Sequence, residues 1–192
     1  MRIGVLCSAN SQIPEEDKKI ASRIFSSLAR TNKYDLVLGG SSDSMMKDCC
    51  LIFNQYNNHT ISIVAKENRQ YLKSQNAQKV VIVKDTTERT KLLAEKSDVI
   101  IAMFGGIGSL REITTFIDMK REKEEQFELI LYNENSHYDQ IINWLYEKQK
   151  AGYLDEEILS LYQVVNSEKE LFKLLKSYEE DKYERINNGK IS

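Results

Sequence analysis

The residues best suited to chemistry in this chain lie between Phe104 and Glu112, which read FGGIGSLRE. Three of the eight glycines, Gly105, Gly106 and Gly108, fall here, directly after the apolar run Val99 to Met103. Glycine reaches backbone conformations closed to other residues and leaves successive N–H groups uncovered. Placed before a helix, those donors add to the helix dipole and form a seat for an anion. A phosphate or a ribose phosphate is the natural guest. A tight strand-to-helix turn with no ligand fits the same pattern. The candidate phosphate-binding residues are therefore Gly105, Gly106, Ile107, Gly108 and Ser109. The run is neither GxGxxG nor a P-loop with GK[ST], so the usual dinucleotide and nucleoside-triphosphate fingerprints are absent.

Other polar residues carry two readings each. Ser109-x-x-Glu112 has the spacing of a capping box, in which hydroxyl and carboxylate satisfy the first amides of a helix. Asp85 and Glu88 have the same spacing, and Arg89 beside them reads as a solvated helix residue or as a fork for phosphate or ribose oxygens. Ser8 and Asn10, after the first strand, suit ordinary turn chemistry or contact with a base or ribose. Cys7 reads as a core residue, and Lys84 and Lys91 as surface charges.

These positions make sense only at strand ends. Apolar, β-branched runs are expected as strands at Arg2–Ser8, Asp35–Gly40, Thr60–Ala65, Lys79–Val83, Asp98–Gly105, Glu128–Tyr132 and Gln163–Val165. Their nearly continuous apolarity predicts strands covered on both faces. Helices are expected at Ser42–Tyr56, Thr86–Lys96, Ser109–Glu125, Tyr138–Ala151, Asp155–Tyr162 and Glu168–Glu180. An earlier one has Ser11 as N-cap, Pro14 in its entry turn, and the stripe Ile20, Ile24, Leu28. The alternation predicts an α/β fold, a Rossmann-like three-layer sandwich with a mostly parallel sheet flanked by helices. Residues 1–180 form one domain and 181–192 a polar tail that frays. In such folds ligands bind beyond the carboxyl ends of the strands. Gly39 and Gly40, at the second strand's end, join the candidates because their backbone lets an anionic ligand approach closely.

Composition narrows the function classes. The 192 residues are 41% hydrophobic and 29% charged, with a net charge of −2. That balance gives no basic field to attract nucleic acid or an anionic membrane. The apolar runs are strand-sized, too short to span a bilayer. Three cysteines, Cys7, Cys49 and Cys50, lack CxxC spacing and read as reduced thiols of a cytoplasmic protein. His59 and His137 stand apart, with no metal-ligand spacing.

FGGIGSLRE resembles PGGxGTxxE, the signature of the Lonely Guy family of cytokinin-activating phosphoribohydrolases, long labelled possible lysine decarboxylases. RIGVLCSAN resembles the family's first strand and turn, DLVLGGSS its second glycine turn, TERTKLLAEKSDVIIAM its HERK-type helix, and HYDQIINWLYEKQKAGYLDEE its late helix. The resemblance implies a homodimer that hydrolyses the N-glycosidic bond of a nucleoside 5′-monophosphate, releasing a free base and ribose 5-phosphate. It implies Arg89 and Glu112 as the catalytic pair, an AMP-like or N6-modified AMP-like substrate, and no metal or organic cofactor. Phe104 stands in place of the signature proline, Ser109 of its threonine, Thr90 of the lysine after the arginine, and Met119 and Arg121 of a Trp and a Gln; Ser41 to Ser44 replace most of the second turn. The alternative is a nucleotide-binding or sensing protein on the same fold without turnover. A decarboxylase fits poorly, since no pyridoxal-phosphate motif surrounds either lysine.

Overall fold

The computed structural model describes residues 1–68, 75–123 and 127–187. Seven strands, all parallel, form one sheet: β1 Arg2–Leu6, β2 Asp35–Leu38, β3 Thr60–Ala65, β4 Lys79–Val83, β5 Val99–Ala102, β6 Glu128–Tyr132 and β7 Gln163–Val165. Their order is β4-β3-β2-β1-β5-β6-β7. The chain winds outward from β1 to β4, then crosses back to place β5 on the other side of β1. The switch point thus lies between β1 and β5, where a doubly wound sheet opens a crevice at its carboxyl edge.

Six helices cover the sheet: α1 Glu15–Arg30, α2 Ser44–Gln55, α3 Thr86–Lys96, α4 Ile107–Arg121, α5 Asp139–Lys150 and α6 Glu168–Asn187. One core joins Ile3, Val5 and Ile101 to α1, α2 and α6 through Ile24, Phe25, Phe53 and Leu171. The other joins Leu6, Ile100 and Leu129 to α3, α4 and α5 through Leu93, Phe116 and Leu145. Alternate residues of one strand therefore feed opposite cores, which is why the strands read as unbroken apolar runs. A fully buried Ile or Phe contributes about 1.5–3 kcal/mol.

The structure corrects several expectations. Pro14, not Ser11, is the N-cap of α1, and no side chain caps that helix. Asp155–Tyr162 yields only a short 3-10 helix, Glu156–Ser160. β4 is not covered on both faces: it is an edge strand, and Val80 and Ile82 are exposed. The stretch expected to fray from residue 181 continues α6 to Asn187. Residues 124–126 and 188–192, the end of the expected fourth helix and the rest of the tail, lie outside the described residues. The Ser109–Glu112 capping box does not form. The N-cap of α4 is Gly106, which puts both residues inside the helix.

Candidate functional site

α3 begins at the carboxyl edge of the sheet because it follows β4 directly. Its start is a well-made cap: the Asp85 carboxylate accepts from the Glu88 amide at 2.9 Å, and Glu88 accepts from the Lys84 amide at 2.6 Å. Arg89 follows in the first turn. It reaches over the end of β2, where its Nη1 lies 3.5 Å from the Gly39 carbonyl oxygen. A Cβ on Gly39 would sit 3.6 Å from Arg89 Nε, an ordinary contact distance.

α4 begins at the same edge, after β5. Its entry turn is fixed by β1, since the Ser8 amide donates to the Phe104 carbonyl at 2.9 Å and the Met103 amide to Leu6 at 2.8 Å. A Cβ on Gly105 would fall 2.1 Å from Ser109 Oγ and 2.5 Å from its Cβ, so only glycine fits beneath Ser109. Gly106, Ile107 and Gly108 are exposed, and no side chain caps the helix. The first-turn amides thus have no side-chain partner, at the positive end of the helix.

Inside α4, Glu112 is buried and meets Arg89 at 2.9 Å, Oε1 to Nη2. Burial pushes its carboxyl above the ordinary value of 4.5, and Arg89 and Arg111 offset that rise only in part. Arg89 Nε is buried without a hydrogen-bond partner, a donor aimed at no protein group. A carboxylate of raised basicity, a guanidinium with a donor to spare and a set of uncapped amides therefore share one crevice. Together they can hold an anion, polarise a bond beside it and position a water.

The structure brings Arg89, Glu112, Gly39, Gly105 and Ser109 to this crevice. Ser8 and Asn10 lie at its rim, but their side chains serve the turn: Ser8 Oγ accepts from the Asn10 amide at 3.0 Å, and Asn10 Oδ1 from the Gln12 amide at 2.9 Å. Gly40 lies nearby with open space where a Cβ would stand. Arg121 does not join them. It pairs with Asp118 and Glu122 at 2.7 Å each, nine residues beyond Glu112, or about 13 Å along the helix.

Sequence reasoning missed His137 at the turn, weighing it only as a metal ligand; its place after β6, the neighbour of β5, was the available signal. Cys7, read as a core residue, is one: it lies just after β1, buried in the first core. Burial, together with the nearby Glu112 charge, drives that thiol far up. Among the described residues, no three His, Cys, Asp or Glu side chains gather closely enough to hold a metal ion, and no helix is long and apolar enough to cross a membrane.

Residues 50–175 match the family model described as possible lysine decarboxylase. The chain belongs to this family. Among curated proteins it is similar to the cytokinin riboside 5′-monophosphate phosphoribohydrolase LOG1 of Arabidopsis thaliana, 25% identical over 178 residues, covering 92% of this chain and 83% of the relative. LOG5 of the same plant, another cytokinin riboside 5′-monophosphate phosphoribohydrolase, is 23% identical over 192 residues, covering 100% and 82%. Among solved structures, the molybdenum cofactor carrier protein of Chlamydomonas reinhardtii superposes with a TM-score of 0.69 at 16% identity, over 92% of this chain and 96% of the other. The molybdenum cofactor binding protein of Rippkaea orientalis gives 0.66 at 20%, over 92% and 95%. The structural neighbours establish the shared fold.

Proposed function

We propose that this protein hydrolyses the N-glycosidic bond of AMP or an N6-modified AMP, giving free base and ribose 5-phosphate. The observation that carries the reading is the Arg89–Glu112 pair beside an uncapped glycine turn. The curated relatives named as phosphoribohydrolases support it. The 5′-phosphate sits on the amides of Gly106, Ile107, Gly108 and Ser109. That places the ribose toward Glu112. As the C1′–N9 bond lengthens, positive charge develops on the ribose, and the Glu112 carboxylate stabilises it and orients the water that attacks C1′. The water's proton passes to Glu112, whose burial makes it a better base than a solvated glutamate. Arg89 turns its unpartnered Nε toward a ribose or base oxygen or nitrogen acceptor. The departing purine carries the bonding electrons and takes up one proton, matched by the one that water gives to Glu112 and that Glu112 returns to solvent. A panel of nucleoside monophosphates, read by release of free base, tests the reading. AMP should be cleaved far better than adenosine, and equal turnover would refute the phosphate seat.

A second reading, nucleotide binding without turnover, draws on one observation: Arg89 and Glu112 each engage the other. AMP that binds tightly and is never cleaved would select it.

We also propose a homodimer. Trp144 and Tyr153 are exposed beside a cleft of about 410 Å³ lined with Ile117, Arg121 and Ile158, and Ile107 is 83% exposed at the start of α4. Sedimentation at micromolar concentration should give twice the chain mass.

A further inference from the structure

The scheme above leaves one side chain at the glycine turn without a role. His137 follows β6 and faces the turn from the side opposite β1. Its Nε2 lies 3.1 Å from the Gly105 amide nitrogen and 3.0 Å from the Gly105 carbonyl oxygen. The ring is held edge-on by Phe104 at 5.4 Å and Tyr138 at 4.8 Å between centroids. The Tyr138 hydroxyl in turn donates to the Met103 carbonyl. The residues that lead into α4 are therefore gripped from β1 through Ser8 and from the β6 loop through Tyr138 and His137.

One nitrogen cannot serve both Gly105 groups at once. Without a proton, Nε2 accepts from the Gly105 N–H; with one, it donates to the Gly105 carbonyl. The accepting role exists only in a neutral ring. An imidazolium keeps the carbonyl contact and gives up the amide. We propose that His137 is a proton-operated positioning residue: neutral and protonated on Nδ1, it occupies the Gly105 amide; charged, it frees that amide for the anion and adds a positive charge beside it. This rests on the phosphate seat proposed above.

The charged groups near the ring are engaged elsewhere. Among the described residues no ion pair involves His137. Glu134, on the same loop, is taken by Arg23 at 2.6 Å and by the Tyr132 hydroxyl. Asp139, at the start of α5, is taken by Asn133 at 2.7 Å. Burial raises the Tyr138 hydroxyl and the Cys7 thiol, so both stay neutral. On α4 the charge of Glu112 faces Arg89.

Sulfate tests the idea, because it stays a dianion over the range of about pH 5 to 8 in which histidine changes charge. Its affinity for the wild type should rise roughly tenfold from the top of that range to the bottom, the scale of one charge-assisted hydrogen bond. His137→Gln keeps an acceptor and a donor but no titrating charge. His137→Phe keeps the edge contacts with Phe104 and Tyr138 and loses both polar roles. Both variants should lack the part of the rise that the wild type owes to His137, keeping only what Glu112, common to all three, contributes. Should the phenylalanine form fail to fold, the glutamine form decides alone. Variants that titrate in parallel with the wild type would overturn the proposal, as would sulfate that binds at no pH. A His137-dependent sulfate profile in a protein that never cleaves AMP would refute the phosphoribohydrolase reading and leave this one standing.

Discussion

Two glycine-containing turns open onto the crevice, and they are built in opposite ways. The turn after β5 leaves its donors unmatched: Gly106, Ile107 and Gly108 are exposed and α4 has no side-chain cap. The turn after β2 satisfies itself. Ser41 is fully buried, its amide and hydroxyl both donate to Gln75 Oε1 at 2.7 and 2.9 Å, and its hydroxyl accepts from the Asn76 amide at 3.0 Å. Ser62 Oγ lies 2.8 Å from the same hydroxyl. Asp43 caps α2 by accepting from the Ser44 amide at 2.8 Å. Buried polar groups that satisfy one another fix a shape, whereas uncapped ones at a helix start await a ligand. The two turns look alike in the sequence, yet one leaves its helix start uncapped and the other is closed by partners.

The largest expected effect breaks or confirms the first turn as a reaction site. Glu112→Gln keeps an oxygen that accepts from Arg89 Nη2 but has no charge for the developing oxocarbenium ion. Base release from AMP should fall about 10²–10³-fold while AMP binding persists. Undiminished turnover would mean that Glu112 only holds Arg89 in place. The same variant isolates a pH effect. A carboxyl whose folded pKa is raised binds its proton more tightly folded than unfolded, so its ionisation costs stability. Wild-type stability should therefore decline relative to the glutamine form as pH rises from 4.5, the ordinary value, through the folded pKa. Urea midpoints across that range check the sign.

Next in size is a paired glycine test. Gly105→Ala forces a Cβ into Ser109 and should cost about 1–3 kcal/mol, the scale of overpacking. Gly39→Ala meets Arg89 at ordinary contact distance and should change melting little. Equal losses would erase the contrast between the turns.

Much of this was legible beforehand. All seven strands and the start of α3 at Thr86 follow from apolar runs and a capping pair. The Arg89–Glu112 meeting was legible only through the family resemblance: 23 residues separate the two, and the sheet order brings the starts of α3 and α4 together. Ser109 and Glu112 misled because a capping box is a spacing rule, and the spacing holds wherever the helix begins. The helix instead starts after Gly106, with Gly105 packed beneath Ser109. The closed second turn was illegible for a similar reason, since its partners Gln75 and Asn76 arrive from beyond β3.

Ser41→Ala sharpens the comparison from the other side. It removes a buried hydroxyl that the Asn76 and Ala77 amides donate to, at 3.0 and 3.2 Å. Leaving such donors unmatched should cost about 1–3 kcal/mol of stability, measured by denaturant unfolding, with base release from AMP unchanged in the folded fraction.

The smallest effect concerns Asp43, the one carboxylate of the second turn. Its charge could repel a phosphate in the crevice, yet it is exposed and turned to the start of its own helix. If that placement holds with ligand bound, Asp43 matters for α2 alone. Asp43→Ala should then lower stability by about 1 kcal/mol, as loss of an N-cap does, and Asp43→Asn by less, because its amide oxygen still accepts from Ser44. Neither change should alter AMP affinity. Charge decides the matter, since the asparagine form removes it while keeping the cap. If Asp43→Asn bound AMP markedly more tightly than the wild type, the carboxylate would have to face the phosphate. The second turn would then belong to the anion seat, and the division of labour between the two turns would fall.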